Sequence, residues 1–393
     1  MRNRFSAEFL DEDIRSLFYD RPAPDGSINR FFNNAPELTS ERYFTSLDLT
    51  GKVSTWALEH TLLFGFDYFR IDDDLPGLNC CQPAPAFNIF RPVYLPAAPV
   101  LDPARSFDIS FTQSWYGLYF QDQIELPYNL FALGGFRYDN AVGRNNVAEL
   151  TTAEDDQVSP RGGLLWRPLS WLSLYGSYTE NFGASNSLFN LDGKILPPQT
   201  AQQWETGLKT EFWDGRLSAT FSYFDLTKQN IGVPDPLNPF IIRTIGEAES
   251  RGVEFDVAGE VLPGWRVIGA YTYMPFAEIT KDVGFDGGPG NTGKWLFGAP
   301  RNFGSFWNTF EFQSSDMKGL KLGAGVVASG GKQGKDNVYQ LPGYAIVDLL
   351  ASYSMKMGPT KLTAQLNVDN GRFWARYGWS FEGGDGPISR PPL

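Results

Sequence analysis

The 393 residues carry 33 Lys+Arg against 45 Asp+Glu, a net charge of −12, with 42% hydrophobic and 15% aromatic residues, 41 Gly, two Cys and one His. An acidic chain without a basic block lacks the phosphate-neutralising surface that nucleic acid requires, and one His with two Cys cannot build the usual His/Cys zinc site. Disorder is excluded by the apolar and aromatic content. Many aromatics and glycines beside few helix formers point away from a soluble α/β enzyme and toward an all-β chain.

At the start, MRNRFSAEFLDEDIRSLFYD places acidic residues where an export signal would carry its apolar stretch. No apolar run approaches the ~18 residues of a transmembrane helix. The segment WALEHTLLFGFDYF (56–69) reads as a strand. Its His60 has no nucleophile or acid motif beside it, so it reads as a strand residue near a pore or rim and not as a catalytic base. Cys80 and Cys81 are adjacent within a long link. Neighbouring cysteines pair only as a strained ring, so two loop thiols, or pairing with another chain, are expected.

Further along, polar and apolar residues alternate. In AQQWETGLKTEF (201–212), Gln203, Glu205, Lys209 and Glu211 oppose Trp204, Leu208 and Phe212. In SRGVEFDVAGEV (250–261), Ser250, Glu254, Asp256 and Glu260 oppose Val253, Phe255, Val257 and Val261. KLTAQLNVDN (361–370) sets Leu362, Ala364, Leu366 and Val368 against polar neighbours in the same way. Period two means strands with one apolar and one polar side.

A soluble sheet would bury its apolar side on a core, whereas a membrane barrel turns that side to lipid and its polar side to a wet lumen. Strands of roughly 11–15 residues are long enough to cross a bilayer at a tilt. The links separate the two cases further. Short ones (Pro127-Tyr128-Asn129, Pro168-Leu169-Ser170, Trp213-Asp214-Gly215, Pro263-Gly264, 314–319 and Met357-Gly358-Pro359) alternate with long ones at about 72–111, 143–157, 184–200, 229–248, 279–299 and 331–342. Tight turns on one rim and long loops on the other are the asymmetry of an outer-membrane barrel, here with roughly fourteen to sixteen strands. Trp115, Tyr116, Trp166, Trp171, Tyr175, Tyr178, Trp204 and Phe212 fall near predicted strand ends and suit interfacial girdles.

An ordered series of motifs then resembles one family, the TonB-dependent outer-membrane receptors, and within it the ferric-siderophore type. SWYGLYFQDQIEL and FALGGFRYDNA (114–142) resemble its "Y-x-Q-D" and "G-x-R-Y-D" strand pair, and VSPRGGLLWRPLSWLSLYGSYTENF (158–182) its "S-P-R-x-G" and "Y-x-x-Y" strands. Glu205, Gly207 and Lys209 match "E-x-G-x-K". DGRLSATFSYFDLTKQNI (214–231) is similar to the strand that follows. Ser250, Arg251, Gly252 and Glu254 match "S-R-G-x-E". Ala299-Pro300-Arg301, LPGYAIVDLLASY (341–353) and LTAQLNVDN (362–370) complete the order. Arg137, Asp139, Pro160, Arg161, Arg251, Gly252 and Glu254 read as barrel architecture, charged pairs in a lumen that order neighbouring strands.

The resemblance implies a barrel of 22 strands filled by an N-terminal plug domain. It implies an outer-membrane location, a ferric siderophore as transported ligand with no covalently bound cofactor, and energy delivered by TonB and its inner-membrane complex. Residues 1–393 are expected to form one partial barrel domain, matching the family most strongly over 114–370, with no plug domain and no TonB box. RYGWSFEGGDGPISRPPL (376–393) stands where the family would run a closing strand. An internal piece of a receptor, or the product of a split gene, with open edge strands and no transport of its own, is therefore expected.

For a chelate, arginines and aromatics supply charge and stacking. Phe87, Phe90, Arg91, Tyr94 and Arg105 in the 72–111 link, with Trp295, Phe297 and Tyr339 in later links, are the candidate substrate-binding residues. The same residues would equally brace a stiff loop that binds nothing. No catalytic and no metal-ligating residue is expected. Besides uptake, a passive porin-like barrel or barrel fragment fits the pattern, and a barrel enzyme fits it poorly.

Overall fold

The computed structural model describes residues 1–19, 23, 25–56, 58–94, 99–183, 196–234, 242–282, 290–314, 316–334, 337–358 and 360–371. The strands, in chain order, are β1 (Arg2–Tyr19), β2 (Ser27–Thr55), β3 (Leu58–Asn88), β4 (Ser106–Leu126), β5 (Leu130–Asn145) and β6 (Leu150–Leu169). Then come β7 (Leu172–Gly183), β8 (Gln199–Phe212), β9 (Leu217–Pro234), β10 (Ile242–Leu262), β11 (Trp265–Lys281) and β12 (Asn302–Glu311). The last are β13 (Leu320–Ser329), β14 (Lys332–Gln333), β15 (Gln340–Leu341), β16 (Tyr344–Met357) and β17 (Thr360–Gly371).

Fifteen of them form one sheet in sequence order from β1 to β13 and on through β16 to β17, while β14 and β15 make a separate small ribbon. Every pairing is antiparallel. Among the described residues no second layer covers the apolar side. Phe255 is 43% and Leu366 65% exposed, and Leu208 is half-buried. An up-and-down sheet of this size with bare Phe and Leu on one side is the wall of a membrane barrel, whose outer face is covered by lipid.

The short links behave as expected. Pro127–Asn129 is a tight turn in which Tyr128 and Asn129 take positive φ, and Trp213, Asp214 and Gly215 all take positive φ as well. Pro263 and Gly264 alone join β10 to β11. Gly264 has φ +83 and its Cα faces the Glu311 carbonyl, so a Cβ has no room there.

The strands run longer than expected, up to 31 residues in β3, because two of the long links are largely ladder. β3 continues through Asn88, and β5 and β6 zip up to Asn145 opposite Leu150. That reduces the expected 143–157 loop to residues 146–149 and the 72–111 loop to 89–105. Parts of the 184–200, 229–248, 279–299 and 331–342 links, and all of 376–393, lie outside the described residues.

Register assigns the faces. Glu254, Asp256, Ala258 and Glu260 of β10 pair with Thr272, Ala270, Ile268 and Arg266 of β11 on the lumen side. Two expectations are corrected by the same ladders. Trp115 and Tyr175 are not girdle residues. The Trp115 indole N–H donates to Asp139 at 2.8 Å and the Tyr175 hydroxyl to Glu205 at 2.5 Å, both inside. Arg251 does not face the lumen. It pairs with Asp225 at 3.0 Å on the side that carries Val253 and Phe255. Its place far up β10 from the Pro263-Gly264 turn, near the outer edge of an apolar band about 25 Å tall, makes a charge tolerable there.

Candidate ligand-facing clusters and the lumen wall

The outward ends of β2 and β3, away from their connecting turn after Thr55, gather the first candidates. Phe87 pairs with Ile28 in the ladder, the Arg30 guanidinium lies 4.9 Å above the Phe87 ring, and the Tyr94 ring stands 6.1 Å away. Arg30 is held there by a fork in which Nε and Nη2 both donate to the Pro85 carbonyl, at 2.9 and 2.7 Å. The fixed guanidinium and two rings form a cationic-aromatic platform in which Arg30 and Phe87 are half-buried and Tyr94 is exposed. Phe90 leans over Gly26, where a Cβ would overlap its ring. The backbone N–H of Arg91 donates to the Asn88 carbonyl and side chain, leaving its own side chain exposed.

Arg105 belongs to a second node on the same link. It closes the 3-10 turn Pro103–Arg105, whose N–H of Ala104 donates to the capping Asp102 side chain at 3.0 Å. Its Nη1 donates to the Cys81 carbonyl at 3.3 Å. Cys80 and Cys81 are bonded to each other, contrary to the expectation of two thiols. The chain turns through positive φ at Cys81, and the Asn33 side chain accepts the Cys81 N–H at 2.9 Å, which brings the neighbouring sulfurs together. Beneath lies Asn79, 1% exposed, whose amide donates to the Asp102 carbonyl and to Ser106.

The later candidates sit on other hairpins. Trp295 is 8% exposed and already committed. Its indole N–H donates to the Ala299 carbonyl at 2.8 Å, the Arg301 guanidinium covers one ring face at 4.2 Å, and Asn337 makes paired hydrogen bonds to its backbone. It pins the β11–β12 link to the segment after β14. Phe297 and Tyr339 remain exposed.

Inside, the wall from β2 to β5 is tied by charge. Arg137 grips Asp67 with both Nη atoms and Asp139 with Nε, while Tyr119, beneath the guanidinium, donates to Asp48. Above the apolar band, Arg70 donates to Asp72 and Lys281 to Glu247, and each donation holds the carboxyl below its ordinary range. Near the opposite rim, His60 bridges Thr55 and Asp122 at 2.7 and 2.8 Å. It pairs with Val53 and Ile124, which puts it on the lipid side of the rim.

A family model described as "TonB dependent receptor-like, beta-barrel" matches residues 2–370. The chain belongs to the TonB-dependent receptor family. It is 33% identical over 341 residues to the metal-pseudopaline receptor of Pseudomonas aeruginosa, covering 83% of this chain and 46% of that one. The ferrioxamine B receptor of Salmonella typhimurium is 32% identical over 353 residues, covering 88% and 48%. Among solved structures, the ferric preacinetobactin receptor of Acinetobacter baumannii superposes with a TM-score of 0.75 at 21% identity over 94% of this chain and 55% of that one, a likeness of fold. The chain thus spans about half the length of the curated relatives it matches.

As part of a TonB-dependent receptor in the Gram-negative outer membrane, its long-link end faces outward and its short-turn end the periplasm. The structure brings Phe87 and Tyr94 together and sets Arg105, Trp295, Phe297 and Tyr339 in separate places. Four residues escaped the sequence reading. Arg30 and Asn79 lie in strands without a motif, and Asn337 acts through backbone contacts 42 residues away. Arg301 was visible in Ala299-Pro300-Arg301 only as a family mark.

Proposed function

We propose that this chain forms part of the wall of a receptor that carries a ferric siderophore across the outer membrane. The platform of Arg30, Phe87 and Tyr94 meets the chelate first, with Phe90 and Arg91 on the same link, while Arg105, Phe297 and Tyr339 offer further contacts from separate places and Trp295 holds the later links in shape. The observation that carries this reading is the half-buried guanidinium-aromatic stack, with the exposed Tyr94 ring beside it, at the outward ends of β2 and β3 in a barrel of this family. Iron is cargo here, so the reading includes no catalytic step and no resident cofactor. Energy would come from TonB and its inner-membrane complex through a plug domain supplied by polypeptide outside residues 1–393.

A second reading, a barrel piece that does not transport alone, is favoured by β1 and β17 standing at opposite ends of the strand order. Both are tested by uptake of radioactive iron as ferrioxamine B or ferrichrome in cells lacking their own receptors. The complete receptor containing this wall should accumulate iron, and residues 1–393 alone should not. Phe87→Ala in the complete receptor should weaken chelate binding by about 1 kcal/mol, about fivefold. Unchanged binding in that variant removes the platform from the site, and failure with every ferric chelate removes siderophore uptake.

A further inference from the structure

His60 on β3 touches a hydroxyl on one side and a carboxylate on the other. Its Nε2 lies 2.7 Å from Thr55 Oγ1, and its Nδ1 lies 2.8 Å from Asp122 Oδ2. A carboxylate only accepts, so Nδ1 carries the proton and the neutral ring presents its Nε2 lone pair to the Thr55 hydroxyl. Oδ1 of Asp122 is buried and, among the described residues, has no hydrogen-bond partner. A half-satisfied buried carboxylate is costly, and it is better accommodated once the ring beside it gains a positive charge. The His60 and Asp122 side chains are 15% and 23% exposed, whereas Thr55 is open. Hydroxyl outermost, imidazole behind it and carboxylate behind that is the arrangement of a nucleophile, its base and the group that orients the base. The residues flanking His60 do not reveal it, because Asp122 lies 62 residues on and is reached through the β3–β4 ladder.

The surroundings set the substrate class. Thr55 ends β2 at the periplasmic rim, and the fully exposed Trp56 begins the turn, an indole suited to headgroup depth. On the same face Val53, paired with His60, and Leu49, paired with Phe64, turn exposed apolar side chains to lipid. Gly51 stands between them, with no atom within 4 Å of where its Cβ would be, so the wall is recessed there. Phospholipid esters lie where the hydrocarbon meets the headgroups, with their acyl chains in the hydrocarbon. An acyl chain laid in the Gly51 gap brings its ester toward Thr55.

We propose that Thr55, His60 and Asp122 hydrolyse a carboxylic ester of a membrane phospholipid, an activity independent of what the barrel carries. Thr55 Oγ1 adds to the ester carbonyl carbon as its proton passes to His60 Nε2, and Asp122 stabilises the imidazolium that forms. The bond from the carbonyl carbon to the glycerol oxygen then breaks. That oxygen leaves with the proton from Nε2, giving a lysophospholipid and an acyl-threonine. Water repeats the sequence, its proton passing through Nε2 to Oγ1, and frees a fatty acid. One ester and one water become one alcohol and one acid, with no change of oxidation state.

The test uses the 393-residue chain in detergent micelles containing phosphatidylethanolamine with one fluorescent acyl chain, read as fatty acid released. Wild type should release it, Thr55→Val should not, and Thr55→Ser should retain release. His60→Gln and Asp122→Asn should each cut the rate at least about a hundredfold. Ser54→Ala, which removes a neighbouring hydroxyl bonded to Glu59 on the opposite face, should leave it unchanged. A long-chain fluorophosphonate should lose fluoride to Thr55 Oγ1, seen as added mass on the Thr55 peptide, and His60→Gln should suppress that labelling. Gly51→Leu, which fills the gap, should raise KM for the lipid and leave cleavage of soluble p-nitrophenyl acetate unchanged. Release by Thr55→Val equal to wild type, or neither release nor phosphonate on Thr55 in wild type, overturns the proposal and leaves the three residues a structural pin. Cleavage of p-nitrophenyl acetate without cleavage of the phospholipid overturns the lipid assignment.

Discussion

Arg137 on β5 and Asp67 on β3 form a two-pronged ion pair, at 2.7 and 2.8 Å, across a strand to which neither belongs. The pair spans β4 at Gly117, which lies opposite both Asp67 and Asp139 in its two ladders. Three strands are therefore fastened by one guanidinium, which the adjacent hydrogen bonds of the sheet cannot do.

Arg137→Met strands the carboxylates of Asp67 and the buried Asp139 without a counter-charge. For a pair that retains some solvent contact, a loss of about 2–3 kcal/mol is expected. Urea unfolding in lipid vesicles measures it, and a midpoint equal to wild type would show that the pair contributes nothing to stability.

Gly117→Ala acts on the same bond from the other side. A Cβ at this position would overlap the Arg137 guanidinium, so the side chain must leave Asp67. The expected cost is about 1–3 kcal/mol. In the double variant with Arg137→Met the cost should shrink, since the atoms that clash are gone. Strict additivity in that cycle is the result that excludes the clash.

The faces are tested by one pair of neighbours. Phe255→Arg places a cation against lipid, with an expected loss of about 2–4 kcal/mol in vesicles. Asp256→Arg, one residue on and facing the lumen, should cost far less. Equal losses at the two positions contradict the assigned register.

Acid should loosen the outer end of β10 and β11. Donation from Lys281 lowers the Glu247 carboxyl below its ordinary 4.5, and further donors are Thr280 and Gln229. A depressed carboxylate contributes stability above its unfolded value and loses it as pH falls through the folded one. Hydrogen exchange across 242–281 should accelerate as pH drops below about 4.5 relative to the exchange chemistry itself, and Glu247→Gln should flatten that dependence. A variant as acid-sensitive as wild type places the effect elsewhere.

Alternation made the wall legible. Glu205 against Trp204, and Glu254 against Phe255, gave each strand its two sides, and the dipeptide Pro263-Gly264 gave the tight rim. The outer hairpins were misjudged because Pro83, Pro85, Gly77 and the two cysteines carry turn chemistry. Ladder pairing overrode it through local irregularities, between Ile28 and Arg30, between Phe32 and Asn34 and between Leu75 and Leu78. Trp115 and Tyr175 were misplaced for a different reason. An aromatic near a strand end can point either way, and only the partner of its polar atom decides. At the platform, Phe87 and Tyr94 were readable as residue types. Arg30 was not, because its partner ring lies 57 residues on and is reached only through the β2–β3 ladder.

That ladder has a bearing on how tightly such a receptor could hold its cargo. A recognition surface mounted on free loops must surrender conformational freedom when it closes on a ligand, at roughly 0.5–1.5 kcal/mol for each mobile side chain. Here the Phe87 ring and the Arg30 guanidinium ride on a girder of paired strands, β2 and β3 at 29 and 31 residues. A chelate met there, as proposed, would be selected by its fit to Arg30 and Phe87 as the ladder already holds them.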